Sequence, residues 1–157
     1  GFHCVLITEL TLMRLFILLM EQKQLIKFLL KNLLALVLLL TTKELSAQKM
    51  HKIFLQKAKN QNPESSKRIL IKGKSEVSVQ AARVFAAEGI FLVGNESQTV
   101  GPESAPMEVH LILLGAEIVL LEGIRLAQVP EGVYFLNAAP INLGGADGAP
   151  CRAILIN

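Results

Sequence analysis

The stretch from Met107 to Ile124, MEVHLILLGAEIVLLEGI, is almost entirely apolar, yet it carries a histidine and, twelve positions later, a glutamate. Neither side chain is buried without cost unless it finds a partner. On one continuous helix, residues twelve positions apart point about 120° away from each other. Gly115 divides the stretch, however, and the residues on its two sides predict a helix followed by a strand. We therefore expect His110 and Glu122 to lie on neighbouring elements that bring both side chains to the same rim.

An imidazole and a carboxylate at one rim are suitable ligands for a divalent metal such as Zn²⁺ or Mn²⁺. His110 and Glu122 are therefore candidate metal ligands. The spacing by itself leaves an alternative open, because a single histidine and a single glutamate near the ends of elements are usually capped or solvated.

Strands alternate with helices on both sides of this stretch. Ser78 is a suitable N-cap for the amphipathic helix SVQAARVFAAEG, and Gly89 is a suitable residue to end it. The predicted strands are RILIKG at 68–73, IFLVGN at 90–95, GVYFLNAAPIN at 132–142 and CRAILIN at 151–157. This alternation favours an α/β fold with a partly parallel sheet that is covered on at least one face.

Three polar residues, Asn95, Glu96 and Ser97, complete or follow the strand IFLVGN. Open α/β sheets bind ligands at the carboxyl ends of their strands. These residues are therefore candidates for substrate binding, although a role in capping the next turn is an equally good interpretation.

The composition restricts the classes of partner. The chain has 157 residues, a net charge of +3 and 18% charged residues, and its length allows one domain or at most two. Thirteen of the 16 lysines and arginines lie at or before Lys74, but few aromatic residues lie among them, so nucleic acid binding has little support. Cys4 and Cys151 lie at opposite ends of the chain without a metal-binding or redox spacing, which favours a reducing compartment and a cytoplasmic location.

The first part of the chain differs sharply from the second. Residues 10–40 are dominated by leucine and contain neither glycine nor proline, which predicts a helix. Three lysines within it follow helical spacing, which is typical of a helix on a membrane surface. We therefore divide the chain into a leucine-rich segment at 1–45 and an α/β domain at 46–157. The alternative function class is a membrane-associated or interaction protein that uses the α/β part as a scaffold.

Three runs of the second part are typical of a known family. They are RILIKG, AARVFAAEGIFLVGNESQTVGPE and the run from Met107 to Ile156, with its VPEGVY turn and its GADGAPCR close. On these residues, Lys67 to Ile156 resembles the C-terminal half of the cyclase family, whose best-known members are bacterial kynurenine formamidases (arylformamidases).

The resemblance implies a metal-dependent hydrolase on a swivelling β/β/α fold. It implies an amide substrate of the N-formylkynurenine type, as in tryptophan catabolism, or a lactam, attacked by a water molecule that Zn²⁺ or Mn²⁺ activates. The family carries a histidine and a glutamate twelve residues apart in this half, so the resemblance also implies that His110 and Glu122 are metal ligands. Intact relatives are expected to be homo-oligomers.

The chain departs from the family pattern at two places. Many members carry Gly-Ile-Asp where this chain has Gly94-Asn95-Glu96, which leaves the substrate open. The remaining ligands of the family come from an N-terminal motif, His-x-Gly-Thr-His-x-Asp-x-Pro-x-His, which is absent from this sequence. Because zinc sites use three or four protein ligands, the chain as written is predicted to be inactive.

A shifted reading frame accounts for the missing motif. When the third base of each codon is joined to the first two bases of the next, the junctions from Thr8 to Leu18 permit Gly-Thr-His-Val-Asp-Ala-Pro-x-His-Phe in that order. The junction of Leu6 and Ile7 permits the preceding histidine. Codons rich in T would also explain the excess of leucine. We therefore hypothesise that residues 1–45 are the catalytic half of the family translated in the wrong frame.

Overall fold

The computed structural model describes residues 2–6, 34–41, 65–143 and 148–157, together with the single positions 56, 60 and 63. Within these residues, seven strands form one sheet. The strands are β1 (Phe2–Leu6), β2 (Leu34–Thr41), β3 (Arg68–Lys72), β4 (Leu92–Asn95), β5 (Val119–Leu121), β6 (Gly132–Asn137) and β7 (Arg152–Ile156). A 3-10 turn at Ser65–Lys67 precedes β3, and the second part of the chain adds helices α1 (Val79–Ala87) and α2 (Met107–Gly115).

The sheet has the strand order β1-β7-β6-β2-β3-β4-β5. Strands β2, β3, β4 and β5 run parallel to one another, with Leu38 of β2 opposite Ile69 of β3. Strand β2 also pairs antiparallel with β6, and the antiparallel pairing continues through β7 to β1. β2 therefore joins a parallel and an antiparallel half of the sheet and is paired along both of its edges.

Local sequence signals set the ends of the helices. Ser78 Oγ accepts the backbone N–H of Ala81 at 3.2 Å, and Gly89 follows α1 with a φ of +63°. The predicted cap and the predicted stop of this helix are confirmed. Helix α2 ends at Gly115, as predicted, but the left-handed residue that follows it is Glu117, with a φ of +59°. That conformation is unfavourable by roughly 1–2 kcal/mol for a residue with a Cβ.

Successive residues of the parallel strands point into two separate cores. Ile69 and Val93 pack with Phe85 of α1 and Leu113 of α2 on one face of the sheet. The opposite face is filled by a second buried cluster, which includes Val37, Leu39, Leu70, Leu92, Ile124, Leu126, Tyr134, Leu136 and Leu155. Burial on both faces is characteristic of parallel strands. The predicted α/β class, with a partly parallel and covered sheet, is confirmed.

The leucine-rich part contains a strand where a helix was expected. Leu34–Thr41 form β2, so the predicted helix over residues 10–40 is wrong for these residues. An unbroken apolar run fits a buried helix or a buried strand equally well, and tertiary pairing decides between them. Here β3 and β6 pair with the two edges of β2, and Val37 and Leu39 are fully buried.

The rest of the prediction for the first part lies outside the described residues. This applies to residues 10–33, to the membrane-surface helix proposed there, and to the boundary between residues 45 and 46, which all stay predictions. Within the described ranges, no helix combines the length and the apolar character that crossing a bilayer requires.

Candidate metal centre

The candidate ligands lie at the edge of the sheet where the parallel strands end. Strands β3, β4 and β5 run in one direction, so the segments that follow them meet at the same edge. Glu122 directly follows β5, and His110 lies in α2, which the chain reaches through the long loop after β4. In open α/β sheets, ligands bind at this edge.

His110 and Glu122 are in direct contact. His110 Nε2 lies 3.0 Å from Glu122 Oε1, and only 5% and 13% of the two side chains are exposed. The prediction that a helix and a following strand bring both side chains to one rim is confirmed. Such burial rules out the alternative in which both side chains are simply solvated.

Two backbone groups hold the pair in place. His110 Nδ1 lies 2.9 Å from the carbonyl oxygen of Pro106, and because a carbonyl only accepts, Nδ1 carries a proton and donates it. The N–H of Val100 donates to Glu122 Oε1 at 2.7 Å. The carboxylate of Glu122 also only accepts, so Nε2 donates to Glu122 Oε1, and the ring that makes both bonds is the charged, doubly protonated form.

The contact with Glu122 changes the protonation of the imidazole. The hydrogen bond to Glu122 raises the pKa of His110 above its ordinary value of 6.5, and the bond to Pro106 and the charge of Glu122 act in the same direction. Burial opposes this shift, because desolvation disfavours the charged ring. The net shift in pKa is upward, so the charged ring persists to a higher pH than in an isolated histidine.

One imidazole nitrogen and one carboxylate oxygen fit part of a metal site. With Nδ1–H held by a carbonyl group, the neutral ring of His110 presents Nε2 for coordination, which is the usual arrangement of metal-binding histidines. No group of three or more histidine, cysteine, aspartate or glutamate side chains converges within the described residues. The pair therefore supplies two ligands, fewer than the three or four protein ligands of zinc sites.

Asn95 and Ser97, two of the candidate substrate-binding residues, brace the loop that follows β3. Asn95 is fully buried, and its Nδ2 donates to the carbonyl oxygens of Ser75 at 3.0 Å and Thr99 at 3.2 Å. Ser97 Oγ donates to the same carbonyl of Ser75 at 3.1 Å. These bonds tie the end of β4 to the segment beside it.

Glu96, the third of these candidates, joins segments that are far apart in the sequence. Its Oε2 accepts the N–H of Gly73 at 2.7 Å, and its Oε1 accepts the N–H of Leu126 at 2.8 Å. These partners lie 23 and 30 positions away in the sequence and not in the next turn, where the capping interpretation expected them. A direct contact of Asn95, Glu96 or Ser97 with substrate stays a prediction.

Sequence reasoning does not single out Val100 or Pro106, because both act through backbone groups. One local signal was present. Pro106 precedes His110 by four positions, and side chains on a helix lean toward the preceding turn. This spacing places the Pro106 carbonyl beneath the imidazole. No comparable local signal links Val100 to Glu122, which lies 22 positions later.

Comparison with known proteins gives the site its context. Kynurenine formamidase of Sphingopyxis alaskensis is 39% identical over 88 residues, which cover 54% of this chain and 42% of the relative. The kynurenine formamidase of Salinibacter ruber is 36% identical over 105 residues, which cover 58% of this chain and 50% of the relative. Cyclase-like protein 3 of Oryza sativa subsp. japonica is 40% identical over 68 residues, 43% of this chain and 25% of the relative. The resemblance to the cyclase family is confirmed.

The similarity is partial. The chain spans half or less of the length of these curated relatives. No protein-family profile matches the chain.

Two solved structures extend the similarity to the fold. A predicted metal-dependent hydrolase from Bacillus stearothermophilus superposes with a TM-score of 0.66 at 28% identity, covering 80% of this chain and 65% of that structure. A potential metal-dependent hydrolase with cyclase activity superposes with a TM-score of 0.67 at 27% identity, covering 82% of this chain and 67% of that structure. The cyclase-like α/β fold expected from the resemblance is confirmed, and the resemblance is to enzymes.

Proposed function

We propose that this chain carries part of the metal centre of a metal-dependent amide hydrolase of the cyclase family, with His110 and Glu122 as two of the ligands. The observation that carries the proposal is the 3.0 Å approach of His110 Nε2 to Glu122 Oε1 at the carboxyl edge of the parallel strands. The similarity to kynurenine formamidases points to an amide of the N-formylkynurenine type as the substrate, with a lactam as the alternative.

The two side chains are arranged to serve a divalent cation. When bound, such a cation supplies the Lewis acidity that polarises a carbonyl group and activates water. The Pro106 carbonyl keeps a proton on His110 Nδ1, so that Nε2 is left for coordination. Because the pKa of His110 is raised, a proton competes for Nε2, and cation affinity should rise with pH.

Zn²⁺ and Mn²⁺ are the cations that we propose. Imidazole suits zinc, carboxylate oxygen suits manganese, and a mixed pair accepts either ion. Parallel titrations with the two metals would establish which one the pair prefers.

A titration of the chain with Zn²⁺ and Mn²⁺, followed by calorimetry, tests the ligand assignment. We expect weak binding by the unaltered chain and further loss in both His110→Ala and Glu122→Gln. Glu108→Gln is the matched control, because Glu108 is also on α2 but its side chain is 60% exposed. Equal affinity in the unaltered chain and in both site variants would contradict the assignment.

We further propose that the chain as written lacks hydrolase activity because the N-terminal ligands are missing. The family motif is absent from the sequence, while the codon junctions of residues 6–18 permit it in a shifted frame. The coding DNA tests the frameshift directly, since its bases must spell the whole motif in that frame. Stop codons or unrelated codons there would refute it.

An activity assay compares this chain with the chain that the restored reading frame would encode. A chain translated in the restored frame should release formate from an N-formylkynurenine-type amide when Zn²⁺ or Mn²⁺ is added, and the chain as written should not. Formate release by the chain as written would contradict the proposed inactivity.

Two wider expectations belong to the same proposal. The cysteine pattern favours a cytoplasmic location, and the family resemblance favours a homo-oligomeric parent enzyme. Sedimentation of the restored-frame chain tests the second expectation. Binding of the chain to lipid vesicles would instead favour the membrane-associated scaffold.

A further inference from the structure

The two backbone groups that hold the candidate ligands belong to one short segment, residues 100–106, which we call the ligand loop. At its start, the N–H of Val100 donates to Glu122 Oε1 at 2.7 Å. At its end, the carbonyl of Pro106 accepts both the backbone N–H of His110, at 3.0 Å, and Nδ1 of the same residue, at 2.9 Å. The shape of the ligand loop therefore sets the position of the imidazole relative to the carboxylate.

Gly101 lies where the two ends of the ligand loop approach each other. It is buried, and a Cβ at this position would lie 3.2 Å from Pro106 Cα and 3.3 Å from Pro106 O. The same Cβ would lie 3.1 Å from Val109 Cβ. The separations from Pro106 Cα and Val109 Cβ are shorter than the optimum of about 3.5–4.0 Å for non-bonded carbon atoms. The carbonyl that holds His110 is therefore packed against the bare α-carbon of Gly101.

Space, and not backbone conformation, is what Gly101 provides. The glycines with a positive φ in the described part of the chain are Gly73, Gly89 and Gly123, so Gly101 does not need the left-handed freedom of glycine. A side chain at position 101 would be resisted by its contacts alone.

The surroundings of Gly101 leave one direction for movement. On one side, the carbonyl of Val100 accepts the N–H of Val77, in the segment before α1, at 2.8 Å, and both valines are buried. On the other side lies the first turn of α2, where Val109 is fully buried and Pro106 is partly exposed, so Pro106 is the group with room to move. An added side chain would therefore displace the start of α2 and carry the Pro106 carbonyl away from the loop.

We infer that Gly101 is a positioning residue for the candidate metal ligands. Its lack of a side chain lets the Pro106 carbonyl hold His110 Nδ1 while, one residue before the glycine, the Val100 N–H holds Glu122. The effect of this arrangement on cation affinity rests on the proposed function, whereas the orientation of the imidazole does not.

The ring nitrogens of His110 provide a direct test. We expect ¹⁵N NMR of the unaltered chain, recorded with the ring in its charged form, to show a hydrogen-bonded proton on His110 Nδ1. In Gly101→Ala, the ¹⁵N shifts should move toward those of a free imidazole, because the bond to Pro106 is weakened. Zinc affinity should fall about tenfold, the lower end of the range for residues that orient a metal ligand.

Two glycine variants serve as controls. Gly115→Ala changes the other end of α2, where an added Cβ meets nothing within 4 Å, and it should leave both the ring signals and the zinc affinity unchanged. Gly94→Ala places a Cβ 2.6 Å from Leu70 Cδ2 and 3.1 Å from the carbonyl oxygen of Leu121, beside Glu122, so it should lower stability and disturb the Glu122 side of the ring while the Nδ1 signal of the folded fraction stays unchanged. A Gly101→Ala protein that loses stability but keeps the His110 ring signals would overturn the inference.

The inference can still be tested on the unaltered chain if Gly101→Ala does not fold or if zinc binding is too weak to measure. In the unaltered chain, the α protons of Gly101 should show strong nuclear Overhauser contacts with the α proton of Pro106 and the β proton of Val109. Absence of these contacts, or a charged His110 ring whose Nδ1 proton is not hydrogen-bonded, would overturn the inference. Loss of zinc binding in every chain, with the ring signals as expected, would count against the proposed function alone.

Discussion

Strands β2 and β4 lie in the same parallel half of the sheet, but their sequences specify them in different ways. β4 is preceded by Gly89 and ends in polar residues, so its limits can be read from the chain. β2 lies in an unbroken apolar run that has no glycine or proline to mark an end. Glycine and polar residues that mark the ends of a strand can therefore specify a buried strand locally. An apolar run without such residues takes its structure from the strands that pair with it.

The largest expected effect tests whether β2 is as much a part of the core as β4. Leu39 and Leu92 are both fully buried and belong to the same cluster. We expect Leu39→Ala and Leu92→Ala each to lower the free energy of unfolding by about 2–5 kcal/mol, from lost burial and the cavity that remains. Urea denaturation measures both. A small effect at Leu39 together with a large one at Leu92 would show that β2 contributes less to the core than β4 does.

The pH dependence of stability tests the His110–Glu122 pair in the second part of the chain. The folded pKa of His110 is raised by Glu122, so the pair stabilises the fold fully below the ordinary histidine pKa and loses this contribution as pH rises through the raised value. Glu122→Gln keeps a hydrogen-bond acceptor but removes the charge. We expect it to destabilise the chain by about 1.5–3 kcal/mol just below the ordinary histidine pKa, the scale of a hydrogen bond to a charged group.

The difference between the unaltered chain and Glu122→Gln should shrink as pH rises above the ordinary histidine pKa of 6.5 and through the raised pKa of His110. Unfolding curves recorded across this range provide the measurement. Glu108→Gln, on the exposed face of α2, should show no such trend. A difference that grows with pH would contradict the assigned direction of the pKa shift.

Substitution of the N-cap residue of α1 tests how much a single residue at a helix end contributes to stability. Ser78→Ala removes the acceptor for the Ala81 N–H and should cost about 1 kcal/mol. Gln80→Ala, at an exposed position of the same helix, is the control and should change stability little. An equal effect of the two substitutions on the midpoint of urea denaturation would show that the cap is not what specifies the start of α1.

The smallest expected effect is a gain in stability just after α2, where a residue other than glycine adopts the left-handed conformation. Glu117 adopts a φ of +59° just after α2, so Glu117→Gly should stabilise the chain by roughly 0.5–1 kcal/mol, after the entropy of the added glycine is subtracted. Glu117→Ala removes the same charge but keeps the Cβ, so it should give no such gain. Thermal unfolding of the two variants separates the backbone effect from the charge effect.

Much of the second part was predictable because its signals are local. Ser78 and Gly89 mark the two ends of α1 by their own chemistry, and they do so in the structure. Gly115 is the last residue of α2, but the left-handed conformation after that helix falls on Glu117. The meeting of His110 and Glu122 was also predictable, since a helix, a turn and a strand in sequence bring their ends together. The strand at Leu34–Thr41 was not predictable, because leucine runs satisfy helix and strand equally.

Local signals along the chain were enough to specify the α/β alternation, both ends of α1 and the identity of the imidazole and carboxylate that meet beside β5. The tertiary structure decided that a leucine run becomes β2, that the Glu96 carboxylate is bound to backbone N–H groups of two distant segments, and that the Pro106 carbonyl and the Val100 N–H orient the candidate ligands. The physical reason is the range of the interactions. Caps and turns act within a few residues, whereas backbone pairing and buried carboxylates find their partners only when distant segments pack together.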